Sequence, residues 1–152
     1  MIQVLTRENK DDVKSLWKEN PKSMSIPFDE EINKILDSNT YYGIYKNGEL
    51  VCMGGLRTMK RKPENRIIHL CVKKDYRLQG YGKLLVQYIC KVIKEMNNGL
   101  ESVVYFREGA KNNNFWRKYI KEDPLKIEHK TMNTFRGVLN FDKIGEYQDG
   151  ID

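Results

Sequence analysis

Val72-Lys73-Lys74-Asp75-Tyr76-Arg77-Leu78-Gln79-Gly80-Tyr81-Gly82-Lys83-Leu84-Leu85 joins three unlike pieces of chain. Before it, Ile67, Ile68, Leu70, Cys71 and Val72 form an apolar run suited to a strand buried on both faces. After it, Leu84, Leu85, Tyr88, Ile89, Val92, Ile93 and Met96 recur at helical spacing, and Asn97-Asn98-Gly99 supplies a stop. The joint between them holds two glycines. Backbone N–H groups at the start of a helix have no partner and sit at the positive end of its dipole, so such a joint binds phosphate. Gly80 and Gly82 lack a Cβ and let an anion come close. Two familiar phosphate loops do not fit. A dinucleotide fingerprint needs a third glycine where Leu85 stands, and a Walker loop needs Ser or Thr after Gly82-Lys83 where Leu84 stands.

Working outward, Met1–Thr6 alternates as a short strand. Asn9 opens a helix with Asp11 and Asp12 in its first turn and Val13, Leu16 and Trp17 on one face. A second helix is expected from Pro27, carrying Phe28, Ile32, Ile35 and Leu36. Thr40–Lys46 and Glu49–Lys60 read as strands joined by a type I′ turn at Asn47-Gly48. Gly54-Gly55 predicts a bulge or a close backbone approach. Lys60–Asn65 reads as a basic loop, Glu101–Phe106 as a strand and Ala110–Ile120 as a helix. Lys126–Lys130 and Thr134–Phe141 read as a closing hairpin turning at Met132-Asn133. The expected order is β-α-α-β-β-β-α-β-α-β-β, a mixed α/β domain.

The 152 residues point to one domain spanning 1–152, with 39% hydrophobic residues for its core and 32% charged residues for its surface. The apolar runs are too short to span a membrane, and the first residues lack the pattern of a signal peptide, so a cytoplasmic protein is expected. Cys52, Cys71 and Cys90 have neither zinc spacing nor the density of a disulfide scaffold, which implies buried reduced thiols. With only His69 and His129 besides, no metal site is expected. A net charge of +6 and a pI near 9.1 favour anionic partners, and a phosphate-rich cofactor and a nucleic acid both qualify.

Arg77-Leu78-Gln79-Gly80-Tyr81-Gly82 resembles the Gln/Arg-x-x-Gly-x-Gly/Ala signature of the GNAT acetyltransferases residue for residue. The Asn-Gly hairpin before it and Val103–Tyr119 after it resemble the family's flanking strands and later helix. The resemblance implies a central mixed, mostly antiparallel sheet of six to seven strands flanked by about four helices. It implies an enzyme moving an acetyl group from acetyl-CoA to a primary amine of a small molecule, peptide or protein lysine. Arg77 and the amides of Leu78, Gln79, Gly80, Tyr81, Gly82 and Lys83 would hold the CoA pyrophosphate. Leu70, Cys71 and Val72 would run along pantetheine, with Asn112 and Trp116 completing the contact from the later helix.

The sequence departs from the family's pattern where the chemistry would lie. The family's general base, often Glu on the strand before the loop, would fall near Arg66 or Ile68, and neither serves. His69 is close but needs a bulge to reach that face, and is otherwise a structural histidine. The second aromatic of Phe115-Trp116 is commonly a Tyr that protonates the departing thiolate; the Trp116 indole is no acid, and Tyr119, one helical turn on, is the substitute. Cys71 stands either as an acyl-accepting nucleophile or as inert packing. The acceptor and the oligomeric state, a homodimer included, stay open. Two other readings remain beside the enzyme: a nucleic-acid-interacting or nucleobase-modifying protein on the same fold, from the pI and the aromatic–basic run Phe115–Tyr119, and a degenerate CoA-binding module.

Overall fold

The computed structural model describes residues 2–20, 29–107, 113–121, 125–129 and 132–148. A seven-stranded sheet runs in the order β1 (Ile2–Val4), β2 (Tyr41–Lys46), β3 (Glu49–Met59), β4 (Glu64–Val72), β5 (Ser102–Arg107), β7 (Met132–Val138), β6 (Leu125–His129). Every neighbouring pair is antiparallel except β4 and β5. Parallel neighbours need a crossover, and α3 (Tyr81–Met96) supplies it. On one face, α3 buries Leu85, Val86, Ile89, Cys90 and Ile93 against β2, β3 and β4, with α4 (Asn113–Arg117) and α5 (Phe141–Ile144) beside it. On the other face, α1 (Lys10–Lys18) and α2 (Asp29–Asp37) bury Val13, Leu16, Trp17, Ile32 and Leu36 with Tyr41 and Met53. The mixed sheet with helices on both faces is the expected fold class.

The Asn47-Gly48 turn is as expected, with φ of 52° and 78° at its two central residues. Four details differ from the sequence reading. Glu64 and Asn65 belong to β4 rather than to a loop, because Met59 and Thr58 pair with them. Met96 is 41% exposed, since the buried stripe of α3 is centred on Leu85, Ile89 and Ile93 and includes Cys90 instead. Met132 and Asn133 lie inside β7, opposite His129 and Glu128, so the hairpin does not turn on them. Phe141 starts a helical turn capped by the Asn140 side chain, which accepts from the Lys143 amide at 3.2 Å. The expected helix start at Pro27 lies outside the described residues.

Candidate active site

β4 and β5 pair only at Asn65–Ser102 and Arg66–Val103, while β5 continues its pairing with β7 as far as Arg107. Beyond Arg66 the two parallel strands therefore diverge, opening a wedge between Ile67–Val72 on one side and Val104–Arg107 on the other. Its closed end is fastened by one buried carboxylate. Glu64, 1% exposed, accepts from Arg66 Nε at 2.6 Å, Tyr105 Oη at 2.8 Å and Arg136 Nη2 at 3.0 Å. Burial alone would push its carboxyl up, but those three hydrogen bonds outweigh it and hold the group below its ordinary value.

The open end of the wedge faces the glycine loop. After Val72 the chain makes a 3₁₀ turn (Lys74–Tyr76), then places Leu78 at φ 62° and Gly80 at φ 88°. Leu78 is fully exposed, and a bulky residue in the left-handed region marks a backbone shaped for something other than packing. A Cβ on Gly80 would meet nothing within 4 Å, so glycine is needed there for its conformation, not for space. The first α3 amide bonded within the helix is Leu84, to Gly80 O at 3.0 Å. The amides of Leu78 through Lys83 find no acceptor among the described residues, which leaves a concave run of donors at the positive end of a 16-residue helix.

The side chains around this loop divide the work differently from their sequence order. Arg77 turns away from the amide run, donating from Nε to Val72 O at 3.1 Å and from Nη2 to Asn20 Oδ1 at 2.7 Å; it braces the loop against β4 and the end of α1. Gly82 serves packing: a Cβ there would stand 3.3 Å from Phe115 Cε1 and 3.6 Å from Val72 Cγ2. Phe115 is thus the aromatic that meets the loop. Trp116, 2% exposed, is a core residue whose ring meets Phe115 edge-on at 5.0 Å. Tyr119 is half-buried with its ring 5.1 Å from Phe115. Leu70 and Val72 join the α3-side core along the wedge. Asn112 lies outside the described residues.

On β4 the step from Gly55–Ile68 to Met53–Cys71 sets His69 and Leu70 against the single residue Gly54, and His69 takes φ 54°. This is a bulge, and it turns His69 onto the same face as Ile68, toward α1. There its Nδ1 lies 2.7 Å from Tyr41 Oη, and its ring meets Trp17 edge-on at 5.7 Å. Gly55 makes this possible, because a Cβ there would stand 2.7 Å from the Tyr41 ring. Burial, helped by the nearby Arg57 cation, depresses the His69 pKa to about 4, so the ring is neutral at physiological pH and a poor base. Cys71 is 5% exposed and burial pushes its thiol up to about 12, which suits packing and not a thiolate nucleophile. The Gly54-Gly55 pair signalled the bulge; nothing in the sequence signalled that the extra residue lies across the ladder in β4.

A family model described as the acetyltransferase (GNAT) family matches residues 6–120. The chain belongs to the GNAT acetyltransferases. Acyl transfer is the chemistry of this family, and the chain is one of its enzymes. The GNAT fold is also what solved structures share with it. PaiA N-acetyltransferase from Thermoplasma acidophilum, in complex with coenzyme A, superposes with a TM-score of 0.66 at 15% identity, covering 91% of this chain and 98% of that one. Naa50 from Arabidopsis thaliana, with a bisubstrate analogue CoA-Ac-MVNAL, gives 0.66 at 16%, covering 93% and 98%. N-acetylglutamate synthase from Neisseria gonorrhoeae, with coenzyme A and N-acetyl-glutamate, gives 0.70 at 13%, covering 93% of this GNAT chain and 35% of its own. No curated protein sequence matches this chain.

Proposed function

We propose that this protein transfers an acetyl group from acetyl-CoA to a primary amine. The carrying observation is the conjunction of the unpaired Leu78–Lys83 amides with the wedge between β4 and β5, one aligned with the other. A diphosphate matches the first, and an amide-bearing arm that can pair with a free strand edge matches the second. CoA has both, and complexes of related structures with coenzyme A support it. The fit extends to Gly80, where open space lies over the donor run.

When bound, acetyl-CoA supplies a thioester carbonyl to which an amine nitrogen bonds as the C–S bond breaks, leaving a thiolate that needs a proton. The chain's own groups then have separate tasks. The Leu78–Lys83 amides bind the diphosphate and Arg77 keeps the loop in place. The free edge of β4 near Cys71 orients the arm and offers an amide to the carbonyl oxygen, the kind of fixed dipole that supplies much of the rate in acyl transfer. Tyr119, whose hydroxyl has no hydrogen-bond partner among the described residues, is the proton donor of choice. Neutral His69 leaves deprotonation of the amine to water. Ligand binding to the native state adds about 2.7 kcal/mol at a hundredfold excess over Kd. Millimolar acetyl-CoA should therefore raise Tm by several degrees, and mass spectrometry with an amine panel should show a product heavier by one acetyl group. No Tm rise, with a control ligand performing normally, overturns the proposal.

A further inference from the structure

On the sheet face that carries α1, side chains of β3 and β4 border the wedge, and an acceptor approaching from that face would meet them. Gly55 directs its Cβ position at Tyr41 on this face, and Arg57, two residues along β3, shares it. Arg57 lies opposite Arg66, the last β4 residue paired to β5, one strand spacing of about 4.8 Å from β4. Arg66 and Arg136 are engaged by Glu64, and Arg136 also by Glu101 at 3.2 Å. Arg57 is exposed and has no carboxylate partner among the described residues. Its cation acts instead on the Tyr41 hydroxyl and the His69 ring.

That placement sets the direction of a hydrogen-bond chain. A cation facing the Tyr41 oxygen favours the phenol proton pointing away from it, toward His69 Nδ1 at 2.7 Å. Nδ1 then accepts, and the proton of the neutral imidazole sits on Nε2. Beside it, the Trp17 indole Nε1–H is buried and has no partner among the described residues. Two donors on this wall, His69 Nε2–H and Trp17 Nε1–H, have no acceptor among the described residues, and the Arg57 guanidinium, which hydrogen-bonds the Tyr41 hydroxyl, has further N–H groups to offer. A buried donor left unpaired is costly, so the Trp17 indole and the donors beside it favour the arrival of an acceptor. The carboxylates at the closed end, Glu64 and Glu101, already pair with arginines.

We propose that the acceptor is a small amine whose skeleton also carries a carboxylate, bound by Arg57 and the His69 Nε2–H, so that these two residues determine specificity. The inference rests on the acetyltransferase reading above. Planar carboxylate geometry matches a guanidinium fork, and the bound anion would set the amine at a fixed reach from the thioester.

The test is steady-state kinetics of the full chain with acetyl-CoA and four acceptor types: α-amino acids, longer ω-amino acids, their carboxamides, and linear polyamines. An amino acid should be the best acceptor and its carboxamide far poorer. Arg57→Gln should raise KM for that amino acid about 10- to 100-fold, the loss of one charge-assisted hydrogen bond, with KM for acetyl-CoA unchanged. Arg57→Lys should recover part of it, and His69→Phe should raise the same KM. Polyamines turned over better than amino acids, or an unchanged KM in Arg57→Gln, overturns the inference alone when acetyl-CoA still raises Tm. Loss of the Tm rise in the wild-type chain overturns the acetyltransferase reading with it.

Discussion

Tyr119 and Trp116 show how one helical turn divides two aromatic roles. Trp116 points into the α3-side core, whereas Tyr119 stays half-buried beside Phe115, the ring that touches the glycine loop. Only Tyr119 has a proton to give, and no described residue competes for its hydroxyl. Tyr119→Phe keeps the ring and its packing, so kcat should fall about 10²- to 10⁴-fold with KM for acetyl-CoA little changed. Pre-steady-state kinetics must first show that chemistry limits turnover. A wild-type kcat in that regime would make solvent or the acceptor the proton source. Residue identities of this kind are visible in sequence, but which side chain meets the wedge is not. Phe115-Trp116 reads as an aromatic pair with either ring available, and the orientation of α4 against β5 chooses the first for the loop and the second for the core.

At the scale of the element, the loop and α3 form the proposed anion-binding unit, and its glycines do different things. Gly80 holds a left-handed turn in open space, while Gly82 lets the helix start close against Phe115 and Val72. Gly82→Asp brings a carboxylate to a helix N-terminus, which the dipole favours, so the helix itself should survive. The same charge opposes a diphosphate. The far-ultraviolet circular dichroism should stay native while the Tm rise with CoA disappears. Gly82→Ala, which moves Phe115 by a few tenths of an ångström without adding charge, should retain most of that rise. Equal losses in the two variants would assign the effect to Phe115 packing and not to phosphate. The strand–loop–helix order was legible because period and glycine placement are local properties. The left-handed backbone of Leu78 was not, since no glycine marks it.

Across the whole molecule, the wedge exists because the sheet is tied at one end and released at the other. Glu64 ties it, holding β4, β5 and β7 through Arg66, Tyr105 and Arg136. Glu64→Gln leaves two guanidiniums facing a neutral group and should cost about 3 kcal/mol, the low end for a broken buried pair because both arginines keep some contact with water. Its folded pKa lies below the ordinary value of 4.5, so its contribution is fully present above that pH and is lost as pH falls through the folded value. Wild-type urea midpoints should therefore drop below about pH 4.5, and Glu64→Gln should flatten that part of the profile. An identical acid profile in the variant would remove Glu64 as the tie. Reading the sequence as a basic loop over Lys60–Asn65 hid this residue, because a carboxylate's partners on β5 and β7 are 41 and 72 positions away.

Local patterns were enough to establish the mixed α/β order, the Asn47-Gly48 hairpin and the strand–glycine loop–helix joint around Arg77–Gly82, since each depends on neighbours within one or two turns of chain. Tertiary structure alone decided that β4 and β5 part after Arg66, that the β4 bulge turns His69 toward Tyr41 and Trp17, and that Arg57 has no carboxylate partner among the described residues. These depend on strand register, and register is set by long-range pairing that no short window of sequence contains.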